Sequence, residues 1–245
     1  MKEYLHSLLQ RMSDDSYRFG AAKVEGVYES VKTISWAAHD EARNLQDASL
    51  VQDLIKIITA EKDASLRSRP YFVLGWLTRN TGNLESKQFL VTALTRERNT
   101  NILGTILDRL ADIYKPTSVD LTPIIELTDH NAQIRRSAYL ALTNSEEPVE
   151  NFLLKRLAEA PKEDVEWLIN ALMYVGTAAS LPAIMKHLNS RRPGVYSNSR
   201  SALTVIMLRE GWTSTEVQEK IKVSAAWVVN FQERLTLLTH PDRNV

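Results

Sequence analysis

The 245-residue sequence predicts an all-α protein, a right-handed α-solenoid of about six helix pairs. Three observations lead there. First, an apolar residue recurs with a small or apolar residue and Leu seven and eight places later. Leu66 precedes Val73-Leu74, Ile134 precedes Ala141-Leu142 and Val195 precedes Ala202-Leu203. Ile102 before Arg109-Leu110 is a poorer copy, and Val165 before Ala171-Leu172 is one place short. The anchors Leu74, Leu110, Leu142, Leu172 and Leu203 stand 36, 32, 30 and 31 residues apart, the size of a two-helix repeat. Second, each anchor lies on a segment with helical spacing, as Ile134, Ala138, Ala141 and Leu142 do, and follows another apolar helix. Third, glycine is scarce: 8 residues, against a usual share of about 7%. That disfavours β folds, which need tight turns, and Gly-rich phosphate loops.

Taken in order, residues 1–46 read as N-terminal cap helices. Leu5, Leu8 and Leu9 mark one helix, and a long helical stretch follows over 17–43. Ala38 stands 36 residues before Leu74, so 22–43 reads as a degenerate second helix without its leucine, as a capping repeat with one solvated face requires. Residues 47–210 hold about five repeats, with first helices over 49–60, 84–95, 119–128, 149–159 and 180–188. Thr81-Gly82-Asn83, Lys115-Pro116, Glu147-Pro148, Ala160-Pro161 and Arg192-Pro193-Gly194 separate the helices. Asp129, Asn131, Asp164 and Asn198 are candidate N-caps or turn residues. Residues 211–245 read as a closing helix pair, and 1–245 as a single domain.

The unit Leu127-Thr128-Asp129-His130-Asn131-Ala132-Gln133-Ile134-Arg135-Arg136-Ser137-Ala138-Tyr139-Leu140-Ala141-Leu142 resembles the HEAT-repeat family, with its Asp, hydrophobic–Arg pair, Ala and Ala-Leu. Glu61-Lys62-Asp63-Ala64-Ser65-Leu66-Arg67 is similar. The resemblance covers about 47–210. It implies that Arg67 and Arg135 are structural, each pairing with an Asp of a neighbouring turn, for which Asp63 and Asp129 are available. It says little of function, because the family spans scaffolds, inhibitors, transport factors and a few enzymes.

Composition removes chemistry. With no cysteine there are no disulfides, thiolate zinc sites, iron–sulfur clusters or Cys nucleophile. His6, His39, His130, His187 and His240 form no i+3 or i+4 pair and no His-Glu dipeptide, which counts against the metal-hydroxylase branch of HEAT proteins. His39-Asp40-Glu41 reads as a solvated helix, since adjacent positions face different ways. P-loop, G-x-S-x-G and G-x-G-x-x-G motifs are missing. No enzyme activity, cofactor or metal is expected. Thirty Lys+Arg balance thirty Asp+Glu, where a dedicated nucleic-acid binder carries a basic excess. Residues 1–60 are net −2 and 131–200 net +2, a gradient that implies solvated faces rather than nucleic acid. The start of the chain lacks a signal-peptide apolar run, and no window nears a membrane span, so a cytoplasmic location is expected.

In a solenoid the second helices line the concave surface. Positions six and three before the anchor and one after it are assigned to that surface, giving Tyr71, Arg136, Tyr139, Met173 and Arg200 as partner-binding candidates. The expected function is non-catalytic binding of a protein or peptide, as adaptor, scaffold or inhibitor/immunity-type protein. Two nucleic-acid alternatives stand beside it. Leu74-Gly75-Trp76-Leu77 is faintly similar to the glycine–tryptophan helix of HEAT-like alkylbase DNA glycosylases, but Trp76 is followed four residues on by Asn80 and not by Asp, and Trp76 is assigned to the core. The segment 213–232 resembles a helix-turn-helix in the spacing of Val217, Ile221, Val223 and Val228 with Ser224 as cap. Gln218 and Lys222 depart from that motif, and Trp227 and Phe231 make its second helix apolar, so a capping helix pair is preferred.

Overall fold

The arrangement comes from a computed structural model that describes residues 2–14, 23–24, 27–28, 33–113, 119–144 and 149–221. The fold is all-α. The chain divides into two compact units, Met1–Glu147 and Pro148–Val245.

In the first unit α1 (Lys2–Met12) packs on α2 (Ile34–Arg43). Three antiparallel pairs follow: α3 (Val51–Ala60) with α4 (Ala64–Thr81), α5 (Leu84–Arg96) with α6 (Thr100–Ala111), and α7 (Thr122–Glu126) with α8 (Ala132–Leu142). Single 3-10 turns lead into α3 and out of α7. Helices α3, α5 and α7 form one layer in sequence order, and α2, α4, α6 and α8 the other. The second unit repeats the pattern with α9 (Glu150–Glu159) beside α10 (Val165–Val175) and α11 (Leu181–Met185) beside α12 (Pro193–Arg209), followed by α13 (Ser214–Ile221).

The five anchor leucines and Ala38 are all buried, each leucine worth roughly 1.5–3 kcal/mol of apolar burial. Helix starts follow the expected chemistry. Asp63, Asn83, Asn99 and Asn131 accept the backbone N–H of Ser65, Ser86, Asn101 and Ile134 at 2.8–3.1 Å. Gly82, at φ 66°, ends α4 in the left-handed conformation that suits glycine. Thr213 and Glu216 form a reciprocal capping box on α13.

Helix ends show a second periodicity. Asn80 Nδ2 donates to the Arg43 and Leu45 carbonyls at 2.7 and 2.8 Å, Asn144 to those of Leu110 and Ala111, and Arg209 to those of Met173, Tyr174 and Gly176. Each donor, at or just beyond the end of a second helix, satisfies carbonyls orphaned at the end of the previous one, 33 to 37 residues back.

Three local expectations are corrected. Residues 23–24 and 27–28 are not part of a long helix: Lys23–Val24 pairs antiparallel with Val27–Tyr28. The β-branched Val24 and Val27 favour extended pairing over a helix. Asn198 lies inside α12, whose first turn is set by Pro193, and donates to the Glu166 carbonyl. Arg67 pairs with Glu97, at 2.9 Å, rather than with Asp63, which is engaged in capping α4. Arg67 and Arg135 do share one job, each donating to the carbonyl five residues back, Lys62 and His130. Ser224, Trp227, Val228 and Phe231, on which the helix-turn-helix reading rests, lie outside the described residues.

Candidate functional site

A second helix here is packed by its own first helix and by the second helices on either side. Its buried arc is therefore wider than the single apolar stripe of a surface helix. Tyr71 (3% exposed), Leu107, Tyr139 (2%) and Ile169, all three places before an anchor, are buried. The accessible row runs one residue later, a rotation of about 100°, through Phe72 and Trp76 on α4. Among the sequence candidates, Arg136 is exposed and Met173 and Arg200 are half-buried. Arg200 donates to the Tyr196 hydroxyl at 3.1 Å and lies over its ring. The Tyr71 hydroxyl donates at 3.0 Å to the buried Glu97 carboxylate that also holds Arg67. Burial and Glu97 push the Tyr71 hydroxyl well above the usual tyrosine value, so it stays a donor. Of the five candidates, Tyr71, Arg136 and Tyr139 belong to the first unit and Met173 and Arg200 to the second.

What does gather is an alternating stack of rings and guanidinium groups across α2, α4 and α6. Its order is Trp36, Arg43, Phe72, Arg109, Trp76, Arg79. Arg43 Cζ lies 5.1 Å from the Trp36 ring centroid and 5.8 Å from that of Phe72. Arg109 Cζ lies 5.2 Å from Phe72 and 5.0 Å from Trp76. Arg79 Cζ closes the stack 4.7 Å from Trp76. His39 meets Phe72 edge-on at 5.2 Å. Each such contact is worth about 0.5–1 kcal/mol where partly solvated, more where dry.

The stack exists because of Gly75. A methyl group there stands 2.3 Å from Arg109 Cγ and 2.4 Å from Arg109 Cβ, so only glycine lets the arginine stem lie on α4 between the two rings. Arg109 is thereby largely withdrawn from water, its side chain 17% exposed, with one ion pair, to Asp112 at 3.1 Å. Burial pushes its guanidinium below the usual arginine value; Asp112 and Asp108 pull it back up, while Arg43 and Arg79 oppose. It remains a cation at neutral pH. Among the described residues Arg43 has no carboxylate partner, and the Trp76 indole N–H is buried without a hydrogen-bond partner. Trp36, 38% exposed, opens one end of the stack to solvent.

A separate concavity of about 410 Å3 lies among the ends of α3, α4 and α5. Its polar centre, Arg67, Tyr71 and Glu97, is saturated by its own hydrogen bonds. Among the described residues no His, Asp and Glu cluster could hold a metal, and no helix is long and apolar enough to cross a membrane.

The chain matches no family model and no curated protein.

Sequence reasoning assigned Trp76 to the core and passed over Trp36, Phe72 and the three arginines. The signal was present: Trp36 and Phe72 stand 36 residues apart, as do Arg43 and Arg79, the same step as Ala38 to Leu74. Trp76 and Arg109 have no such counterpart, and only packing on Gly75 brings Arg109 in.

Proposed function

We propose that the chain is a non-catalytic, HEAT-like α-solenoid that binds a protein or peptide, serving as adaptor, scaffold or inhibitor of the immunity type. Helix pairs in two layers and helix-end caps that each reach back 33 to 37 residues support the solenoid reading. The ring–guanidinium stack carries the binding reading. Tryptophan and arginine concentrate interface energy because they combine area with directed hydrogen bonds. Here they are held in place before any partner arrives, so association orders little that is mobile. The test is affinity capture from native cell extract with the full chain and its Trp36→Ala/Arg43→Gln variant. Proteins retained by the parent and lost by the variant, at unchanged circular dichroism, are expected. Equal retention by both places binding on another surface and refutes the assignment.

One observation bears on the glycosylase alternative. Asp112 is ion-paired to the arginine that covers Phe72 and Trp76, which sets an acid beside aromatic rings and basic groups. A flipped base needs an open aromatic pocket, and both rings carry guanidinium groups instead. Incubation with alkylated duplex DNA is expected to release no base; release abolished by Asp112→Asn would favour the enzyme.

A further inference from the structure

We propose that the ring–guanidinium stack reads carboxylates, and that its occupant is an acidic polypeptide segment laid across α2, α4 and α6. This rests on the reading that the first unit binds a polypeptide through its second-helix layer. A guanidinium over a ring is a planar donor that suits bidentate anions, and it is weakly hydrated to begin with. Three such groups lie in a row here. Arg43 and Arg109 flank Phe72 at 5.8 and 5.2 Å, so their Cζ atoms are no more than about 11 Å apart. Arg109 and Arg79 flank Trp76 at 5.0 and 4.7 Å, a limit of about 10 Å. Carboxylates four residues apart on a helix stand about 6 Å apart along its axis, within both limits, and those seven apart about 10.5 Å, within the limit for Arg43 and Arg109.

Charge argues for an anion. Arg43 has no carboxylate partner among the described residues, and the withdrawn Arg109 has Asp112 as its ion pair. A second carboxylate arriving at the row supplies what water no longer does. Geometry argues against nucleic acid as that anion. Single strands bind by stacking bases on free aromatic faces, whereas Phe72 and Trp76 each have two guanidinium groups 4.7–5.8 Å from the ring centroid. Duplex DNA requires many phosphate contacts and an excess of cations, and the chain carries 30 of each sign.

The experiment uses the full chain, tryptophan fluorescence and fluorescence anisotropy. The probes are an Ala-rich helical peptide with Glu at every seventh position, the same peptide with Gln, and a single-stranded oligonucleotide. The Glu peptide is expected to bind below about 1 mM, more weakly as salt rises, with the Gln peptide at least tenfold weaker. Arg43→Gln with Arg79→Gln is expected to weaken the Glu peptide by about tenfold or more while circular dichroism shows the chain still folded. Equal binding of the Gln peptide, indifference to the double substitution, tighter binding of the oligonucleotide, or no binding at all overturns the proposal. A partner captured by the stack in the extract experiment, together with failure of the Glu peptide, removes the carboxylate assignment and leaves the binding reading standing. If capture is also indifferent to the stack, both fall.

Discussion

Adding one methyl group at Gly75 separates a stack built by tertiary packing from arginines that merely rest on a surface. Gly75 lies in the interior of α4, where replacing glycine by alanine ordinarily stabilises a helix by about 1 kcal/mol. Here the new methyl lies 2.4 Å from Arg109 Cβ, an atom that moves only with the backbone of α6, and 2.3 Å from Cγ. A rotamer change does not relieve the first contact, so α4 and α6 must part or Arg109 must leave. Overpacking costs about 1–3 kcal/mol, and losing the guanidinium from two rings about 0.5–1 kcal/mol for each. Less the helix-propensity gain, Gly75→Ala is expected to destabilise the protein by about 1–4 kcal/mol. Gly104, in the interior of α6, is the internal control: a methyl there meets nothing within 4 Å, so Gly104→Ala is expected to stabilise by about 0.5–1 kcal/mol. Urea unfolding followed by tryptophan fluorescence reads both. If Gly75→Ala is as stabilising as Gly104→Ala, Arg109 does not lie on α4 and the stack is refuted. A double-mutant cycle with Arg109→Ala then assigns the cost, since the methyl should be far better tolerated once the arginine stem is gone.

Glu97→Gln is expected to cost about 2–4 kcal/mol in urea unfolding, because it leaves the largely buried Arg67 without its charge partner, whereas Tyr71→Phe removes one hydrogen bond at about 0.5–1.5 kcal/mol. Equal costs would show that the carboxylate is not what holds the turn. Asn80→Ala removes two bonds to helix-end carbonyls and is expected to lower stability by about 1–2 kcal/mol, read as a fall in melting temperature; an unchanged melt contradicts the capping role. Glu150 supplies a pH test. Burial works to raise its pKa, but bonds from Ser180 and Thr177 outweigh that and hold it below the ordinary glutamate value. A depressed folded-state pKa gives stability that is present above the unfolded value, near pH 4.5, and is lost as pH falls through the folded one. Glu150→Gln should therefore flatten the acid side of the stability–pH curve, and an unchanged slope below pH 4.5 refutes the account.

The register of Leu74, Leu110, Leu142, Leu172 and Leu203, with Pro and Gly between helices and Asp or Asn before them, determined by itself that the chain folds as repeated helix pairs. Those signals are local: a helical period, a cap, a turn residue. Each is written within a few positions, and the five leucines are buried as their spacing implies. The candidate site was legible only in part. The 36-residue recurrence of Trp36 with Phe72 and Arg43 with Arg79 lies in the sequence, but nothing local says which side of a second helix faces solvent. That depends on how many neighbours each helix has. With packing on three sides, Tyr71 and Tyr139 turn inward and the accessible row moves one residue on. The placement of Arg109 is the clearest case of tertiary structure deciding. Its stem needs a gap in a different helix, and Gly75, 34 residues earlier, becomes that gap only when α4 and α6 lie side by side.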